Sequence, residues 1–170
     1  MQRPLIVGVM GGSQCDEATR RAAYQLGALI AEKGWVLLNG GRDRGVMDAS
    51  ARGARDRGGL TIGILPDVSA NQASAGIQVA VLTGMGGARN VINVLSSQVV
   101  VACPGGAGTL SEIALALKYG RRVILMGFAD EAAENIVGLF AEFNERAMLQ
   151  KVDDPIEAVD RIAKLYPEVA

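Results

Sequence analysis

The chain has 170 residues, a formal net charge of −1 and 49% apolar residues. It is long enough to bury a substantial core, too apolar for disorder, and without the broad basic field that nucleic acid or an anionic membrane would attract. Only 4% of residues are aromatic, which argues against stacking on single-stranded bases, and there is no histidine, which removes Ser-His-Asp and Cys-His chemistry.

Proton transfer, if there is any, falls to Asp, Glu, Lys, Tyr, Cys or water. Cys15 and Cys103 lie too far apart in sequence to suggest a disulfide scaffold. Without histidine they cannot supply a four-ligand zinc site either, so no metal held by the protein is expected. Each cysteine sits beside a glycine turn, where it is either a small semi-buried residue or a reactive thiol. No run reaches the roughly 18 apolar residues of a membrane span. The N-terminal apolar run is too short for a secretory signal, so a cytoplasmic protein is expected.

In chain order, PLIVGVMGG reads as a buried parallel strand running into glycine. DEATRRAAYQLGALIAEKGW is a helix, with acids in its first turn and Gly34 after its end. VLLNGG is a second strand and GVMDASARGARDRGG a second helix with an arginine-rich face. LTIGILPD is a third strand, stopped by Pro66, and residues 67–76 read as a loop. IQVAVLTGMGG is a fourth strand, ARNVINVLSS a short helix and QVVVACPGG a fifth strand. TLSEIALALKYG is the next helix, RRVILMG the sixth strand, and DEAAENIVGLFAEFNERA an amphipathic helix over 130–147. MLQKV is extended, and DPIEAVDRIAKLY closes the chain as a helix started by Asp153 or Asp154 with Pro155 and Glu157. Strands alternating with helices predict one doubly wound, Rossmann-like α/β domain, with a parallel sheet of about six or seven strands.

In such a sheet every strand-to-helix turn lies on one edge. Four glycine clusters obey this rule: Gly11-Gly12-Ser13, Gly40-Gly41-Arg42, Gly84 with Gly86-Gly87, and Gly105-Gly106-Ala107-Gly108. Glycine-rich backbone at a helix N-terminus presents unpaired N–H groups and partial positive charge, which holds phosphate without many cations. GxxxxGK[ST] is absent, which excludes a P-loop, and GVMGGS fits the dinucleotide fingerprint only loosely.

Arg89, in the first turn predicted after a glycine cluster, opposes the helix dipole unless an anion offsets it. Arg42 and Arg44 share that edge, with Asp43 between them as a neutralising neighbour. Arg52, Arg55 and Arg57 read as a solvated face. For Glu112 two readings stand. Thr109-Leu110-Ser111-Glu112 fits a capping box, with Thr109 as N-cap and Glu112 reaching back to it. Alternatively, Glu112 is a carboxylate set beside a phosphate-binding turn.

PGGAGTLSE, residues 104–112, resembles the PGGxGTxxE signature of the LOG or "lysine decarboxylase-like" family. NGGRDRGVMDA is similar to that family's glycine-rich segment, Arg89 precedes the strand that leads into the motif, and the matching order runs over residues 4–127. The resemblance implies phosphoribohydrolases that cleave the base from a nucleoside 5′-monophosphate. Arg89 would hold the substrate, Glu112 would stabilise the sugar cation or activate water, and Gly105, Gly106, Gly108 and Thr109 would cradle the phosphate. The segment departs from the cytokinin-activating pattern: TGMGGARNVINV has no histidine, and Asn90 stands where a lysine is usual. It is closer to a sister group reading GxARN, which includes molybdenum cofactor carrier proteins.

Binding of the molybdenum cofactor or a related phosphorylated heterocycle is therefore expected, with phosphoribohydrolase activity as the alternative. The expected contacts are Gly11, Gly12, Ser13, Gly40, Gly41, Arg42, Gly86, Gly87, Arg89, Asn90, Pro104, Gly105, Gly106, Ala107, Gly108, Thr109 and Glu112. ALALK in the helix after the motif is apolar on more than one face, which with the resemblance suggests a homo-oligomer, a dimer or tetramer.

Overall fold

Val99, Val100, Val101 and Ala102 are all fully buried, as in a strand covered on both faces. The computed structural model, which describes residues 3–141 and 148–167, places this strand near the middle of a seven-stranded sheet. The strands are β1 (Ile6–Met10), β2 (Val36–Asn39), β3 (Thr61–Leu65), β4 (Val79–Leu82), β5 (Val99–Ala102), β6 (Arg122–Met126) and β7 (Leu149–Val152). They run parallel in the order β4-β3-β2-β1-β5-β6-β7. The helices are α1 (Glu17–Glu32), α2 (Gly45–Asp56), α3 (Asn90–Leu95), α4 (Ala107–Lys118), α5 (Asp130–Leu139) and α6 (Pro155–Leu165). The helix expected over 130–147 is seen as α5; residues 142–147 lie outside the described ones.

Period-two alternation splits the core into two layers. Val7, Val9, Val99 and Val101 pack with Leu26 and Ile30 of α1, Val46 of α2 and Ile162 of α6. Met10, Val100, Ala102 and Leu125 pack with Val94 of α3, Ile113 and Leu117 of α4, and Ala133 of α5. Fully burying a side chain such as Leu26 or Ile113 contributes about 1.5–3 kcal/mol.

Helix starts follow the expected chemistry at two ends. Asp16 caps α1 by accepting from Thr19 N at 2.7 Å. Asp154 caps α6 by accepting from Glu157 N at 2.9 Å, and Glu157 in turn accepts from Asp153 N at 3.2 Å. By contrast, β4 is exposed along its length as the sheet's edge strand.

Two glycines bring α1 and α2 into backbone contact. A Cβ on Gly27 would lie 2.0 Å from Ser50 O, and one on Gly53 would lie 1.9 Å from Tyr24 O. The locked pair holds the turns that open both helices side by side. Val46 N donates to Gly12 O at 3.0 Å. Fully buried Asn39 fixes the β2–α2 turn by accepting from Gly41 N at 2.8 Å and donating to Met47 O at 2.9 Å.

Candidate functional site

The sheet order reverses between β1 and β5, so a crevice opens at their carboxyl ends. The turns leaving these strands are tied together: Cys103 N donates to Met10 O at 2.7 Å and Gly12 N to Pro104 O at 3.0 Å. Side chains at Gly12 and Gly105 would break this seam. A Cβ on Gly12 would sit 2.5 Å from Gln14 O; one on Gly105 would sit 2.2 Å from Thr109 Oγ1 and 2.7 Å from Gly12 N.

The crevice is a cavity of about 240 Å³. Val9, Met10 and Met47 supply its apolar wall, and Gly11, Gly12, Ser13 and Gly40 contribute turn backbone. Arg89, Asn90, Gly106, Gly108, Thr109 and Glu112 complete the lining. The other expected contacts lie outside it. Pro104 and Gly105 form the seam, Gly41 packs on Gly63, and Gly86 and Gly87 belong to the 3-10 turn Gly86–Arg89. Ala107 is the first residue of α4. Arg42 is ion-paired with Asp67, not Asp43, through two 2.8 Å contacts that tie the β2–α2 turn to the 67–76 loop. Arg44 precedes α2 as its N-cap residue without a side-chain cap bond. Arg52 pairs with Asp48 at 2.8 Å, Arg55 donates to Ala75 O at 2.6 Å and Arg57 meets Glu32 at 3.4 Å, so all three serve the surface.

The capping box does not form. α4 begins at Ala107 with Gly106 as N-cap, and no side chain caps it. Thr109 is already inside the helix, with its hydroxyl held against Gly105, and both it and Glu112 are buried. The Glu112 carboxylate turns away from the helix start to accept from Asn93 Nδ2 at 2.7 Å and Arg89 Nη1 at 3.3 Å. The first amides of α4 therefore lack intrahelical acceptors and a side-chain cap, and point along the axis to where an anion is favoured. Beyond the Cβ positions of Gly106 and Gly108 there is open space.

Arg89 closes the 3-10 turn one residue before α3, slightly earlier than the predicted helical turn. Its guanidinium donates to Asn90 Oδ1 as well as to Glu112. Asn90 donates to Ser111 Oγ at 2.8 Å, which joins α3 to the first turns of α4. Gly40 makes room for the cation, since a Cβ there would lie 2.5 Å from Arg89 Nη2.

Burial raises the Glu112 carboxyl above the usual glutamate range, while the Asn93 hydrogen bond and the Arg89 cation pull it part of the way back. Burial also lowers Arg89, with Glu112 opposing. A guanidinium nevertheless keeps its charge, so Glu112 is the member whose protonation can change. Arg89 Nε and Asn93 Oδ1 are buried without hydrogen-bond partners. Asn93, Val9, Met10 and Met47 escaped the sequence reading. The signal for Asn93 was a second polar residue three positions after Asn90 in the otherwise apolar NVINVL.

Cys103 is fully buried and its thiol is pushed up to about 12; Cys15 is partly buried and also raised by burial. Neither environment favours a thiolate, so the semi-buried reading applies to Cys15, while Cys103 is buried outright. Among the described residues no three His, Cys, Asp or Glu come together as a metal site, and no helix is long and apolar enough to cross a membrane.

Residues 4–159 match the SLOG cluster4 family. The chain belongs to the SLOG cluster4 family. Among solved structures similar to this SLOG cluster4 chain is the molybdenum cofactor binding protein from the phototrophic bacterium Rippkaea orientalis. It has a TM-score of 0.90 at 44% identity, covering 97% of this chain and 99% of that one. The molybdenum cofactor carrier protein from Chlamydomonas reinhardtii has a TM-score of 0.88 at 39% identity, with the same coverage of 97% and 99%. An uncharacterized protein of Archaeoglobus fulgidus is 52% identical over 117 residues, 69% of this chain and 76% of its own. The cytokinin riboside 5′-monophosphate phosphoribohydrolase of Mycobacterium tuberculosis is 36% identical over 93 residues, 54% of this chain and 50% of the enzyme. The resemblance read from PGGAGTLSE, and its lean toward the carrier group, are borne out at the level of family and relatives.

Proposed function

We propose that this SLOG cluster4 chain is a binding and carrier protein for the molybdenum cofactor or a related phosphorylated heterocycle. The observation that carries the reading is the uncapped start of α4, opening past Gly106 and Gly108 toward Arg89 in a cavity with an apolar wall. A phosphate would take the α4 amides and Arg89, and a flat heterocycle would lie against Val9, Met10 and Met47. The metal would travel with its own cofactor as cargo. Solved relatives named for binding or carrying that cofactor, matched along nearly their whole length, support the same reading.

The test is retention and protection. Purified protein is incubated anaerobically with the molybdenum cofactor, passed through a sizing column and exposed to air. Co-elution, with slower cofactor oxidation than in buffer and loss of both effects in Arg89→Ala, is expected. An alternative reading as a nucleoside 5′-monophosphate phosphoribohydrolase is favoured by the buried Arg89–Glu112 pair, because a carboxylate there can stabilise an oxocarbenium-like transition state. Release of adenine from AMP that disappears in Glu112→Ala would decide for the enzyme.

The reading extends to assembly and compartment. Leu110 near the start of α4 and Tyr119 just past its end remain 44% and 43% exposed, apolar surface that a second copy could cover, so the protein is proposed to be a homo-oligomer. Sedimentation at micromolar concentration should show no monomer. The two free thiols suit a reducing cytoplasm.

A further inference from the structure

Glu112 Oε1 receives two donors, Asn93 Nδ2 at 2.7 Å and Arg89 Nη1 at 3.3 Å. Asn90, on the same helix as Asn93, binds the other partner by accepting from Arg89 Nη1, so α3 positions both members of the pair. Arg89 and Glu112 are the charged residues that line the cavity, and their formal charges cancel. An incoming anion would therefore leave the cavity with net negative charge in a place where water screens it poorly.

The groups facing Glu112 come from several elements. Arg89 comes from the 3-10 turn, Asn93 from α3 and Thr109 from its own helix; the β1–α1 and β2–α2 turns offer Ser13 and Gly40, and α2 offers Met47. Apart from Arg89, none of these is ionised at neutral pH. The nearest further charges, Arg42 and Asp67, act on Arg89 and are paired with each other.

We infer that an anion enters this cavity together with one proton, taken up by Glu112, and that Asn93 is the positioning residue that sets the pH at which this happens. The inference rests on the anion-binding reading above and adds its regulation. Protonation turns Glu112 from a competitor for Arg89 into a neutral group with an O–H to donate, which frees the guanidinium for the anion. Asn93 serves both states. Its Nδ2–H donates to the carboxylate, and its buried Oδ1, which has no partner, becomes an acceptor for the acid if the amide turns over. The bond to the charged form is the stronger, so Asn93 delays the proton.

Sulfate is the probe, because it keeps its charge across the neutral range and any proton taken up then belongs to the protein. Titration calorimetry in two buffers of different ionisation heat counts that proton. Wild type should take up about one proton per sulfate on the alkaline side of the Glu112 midpoint, with affinity falling about tenfold per pH unit there. Glu112→Gln should bind sulfate with no proton uptake and a flat pH profile. Asn93→Leu should move the midpoint to higher pH and tighten sulfate binding at neutral pH. Sulfate binding by wild type without proton uptake overturns the inference, as does an unshifted midpoint in folded Asn93→Leu. If Asn93→Leu does not fold, the proton count in wild type and Glu112→Gln decides. Failure of sulfate to bind either wild type or Glu112→Gln at any pH sinks the anion-site reading itself, and the inference with it.

Discussion

Arg89 and Glu112 meet at 3.3 Å with side chains only 12% and 8% exposed, so each depends on the other for relief from burial. Removing one member of a buried pair costs about 3–5 kcal/mol, because the survivor keeps its desolvation penalty and loses its partner. Arg89→Met is therefore expected to destabilise by about 3 kcal/mol at neutral pH. Glu112→Gln should cost under about 1 kcal/mol, since a glutamine oxygen still accepts from Asn93 and Arg89. Urea unfolding of the two variants beside wild type checks the order; a loss in Glu112→Gln as large as that in Arg89→Met would show that the glutamine oxygen does not replace the carboxylate as acceptor.

The pair also fixes a pH dependence. Burial places the folded Glu112 carboxyl above its unfolded value, so the folded state binds the proton more tightly. Stability from this group is present in full below the unfolded glutamate value and is lost as pH rises through the folded one. Wild type should lose stability relative to Glu112→Gln across that window, and saturating sulfate should recover part of it. Unfolding curves at mildly acidic, neutral and mildly alkaline pH test this. An advantage of wild type over Glu112→Gln that grows with rising pH contradicts the assignment.

The thiols give a check on the core that involves no ligand. Cys103 is fully buried against β1 and α1, with its thiol pushed up to about 12, while Cys15 is only partly buried. A thiol reagent added to the native protein at neutral pH should modify at most Cys15. Cys103 should react only after denaturant is added, at a rate that tracks global unfolding. Prompt modification of both sites would mean that the β1–β5 seam opens far more easily than its hydrogen bonds imply.

Much of this was written in the sequence at the level of periods and punctuation. Unbroken apolar runs such as VVVA give strands buried on both faces, and glycines at the carboxyl ends of β1, β2, β4 and β5 mark the working edge. What sequence could not give was the distance between elements. Thr109 and Glu112 fit a capping box because local spacing is all that a linear reading sees. Packing overrode it: the Thr109 hydroxyl lies against Gly105, and Asn93 and Arg89, residues 19 and 23 positions away, claim the carboxylate. Arg42 is the same lesson, since its neighbour Asp43 lost to Asp67 across a loop. The α1–α2 backbone contact through Gly27 and Gly53 was invisible for the same reason: a glycine inside a helix reads as a weakness until its neighbour is known.

The glycines of the motif separate structural from binding roles, and alanine substitutions should expose the division. At Gly105 a methyl would meet Thr109 Oγ1 at 2.2 Å and Gly12 N at 2.7 Å, in the seam that joins the β1 and β5 turns. Gly105→Ala is expected to destabilise by about 1–3 kcal/mol, the range for overpacking a tight site. At Gly108, inside α4, a methyl meets nothing within 4 Å and improves helix propensity by up to about 1 kcal/mol. Gly108→Ala should thus raise the melting temperature. It should also weaken anion binding, because Gly108 lines the cavity and the added carbon takes space beside the α4 amides. Thermal melts paired with sulfate titrations read both quantities on the same samples. If Gly108→Ala gains stability and binds sulfate as well as wild type, the open face at the start of α4 is a property of the helix alone and not the place where the ligand sits.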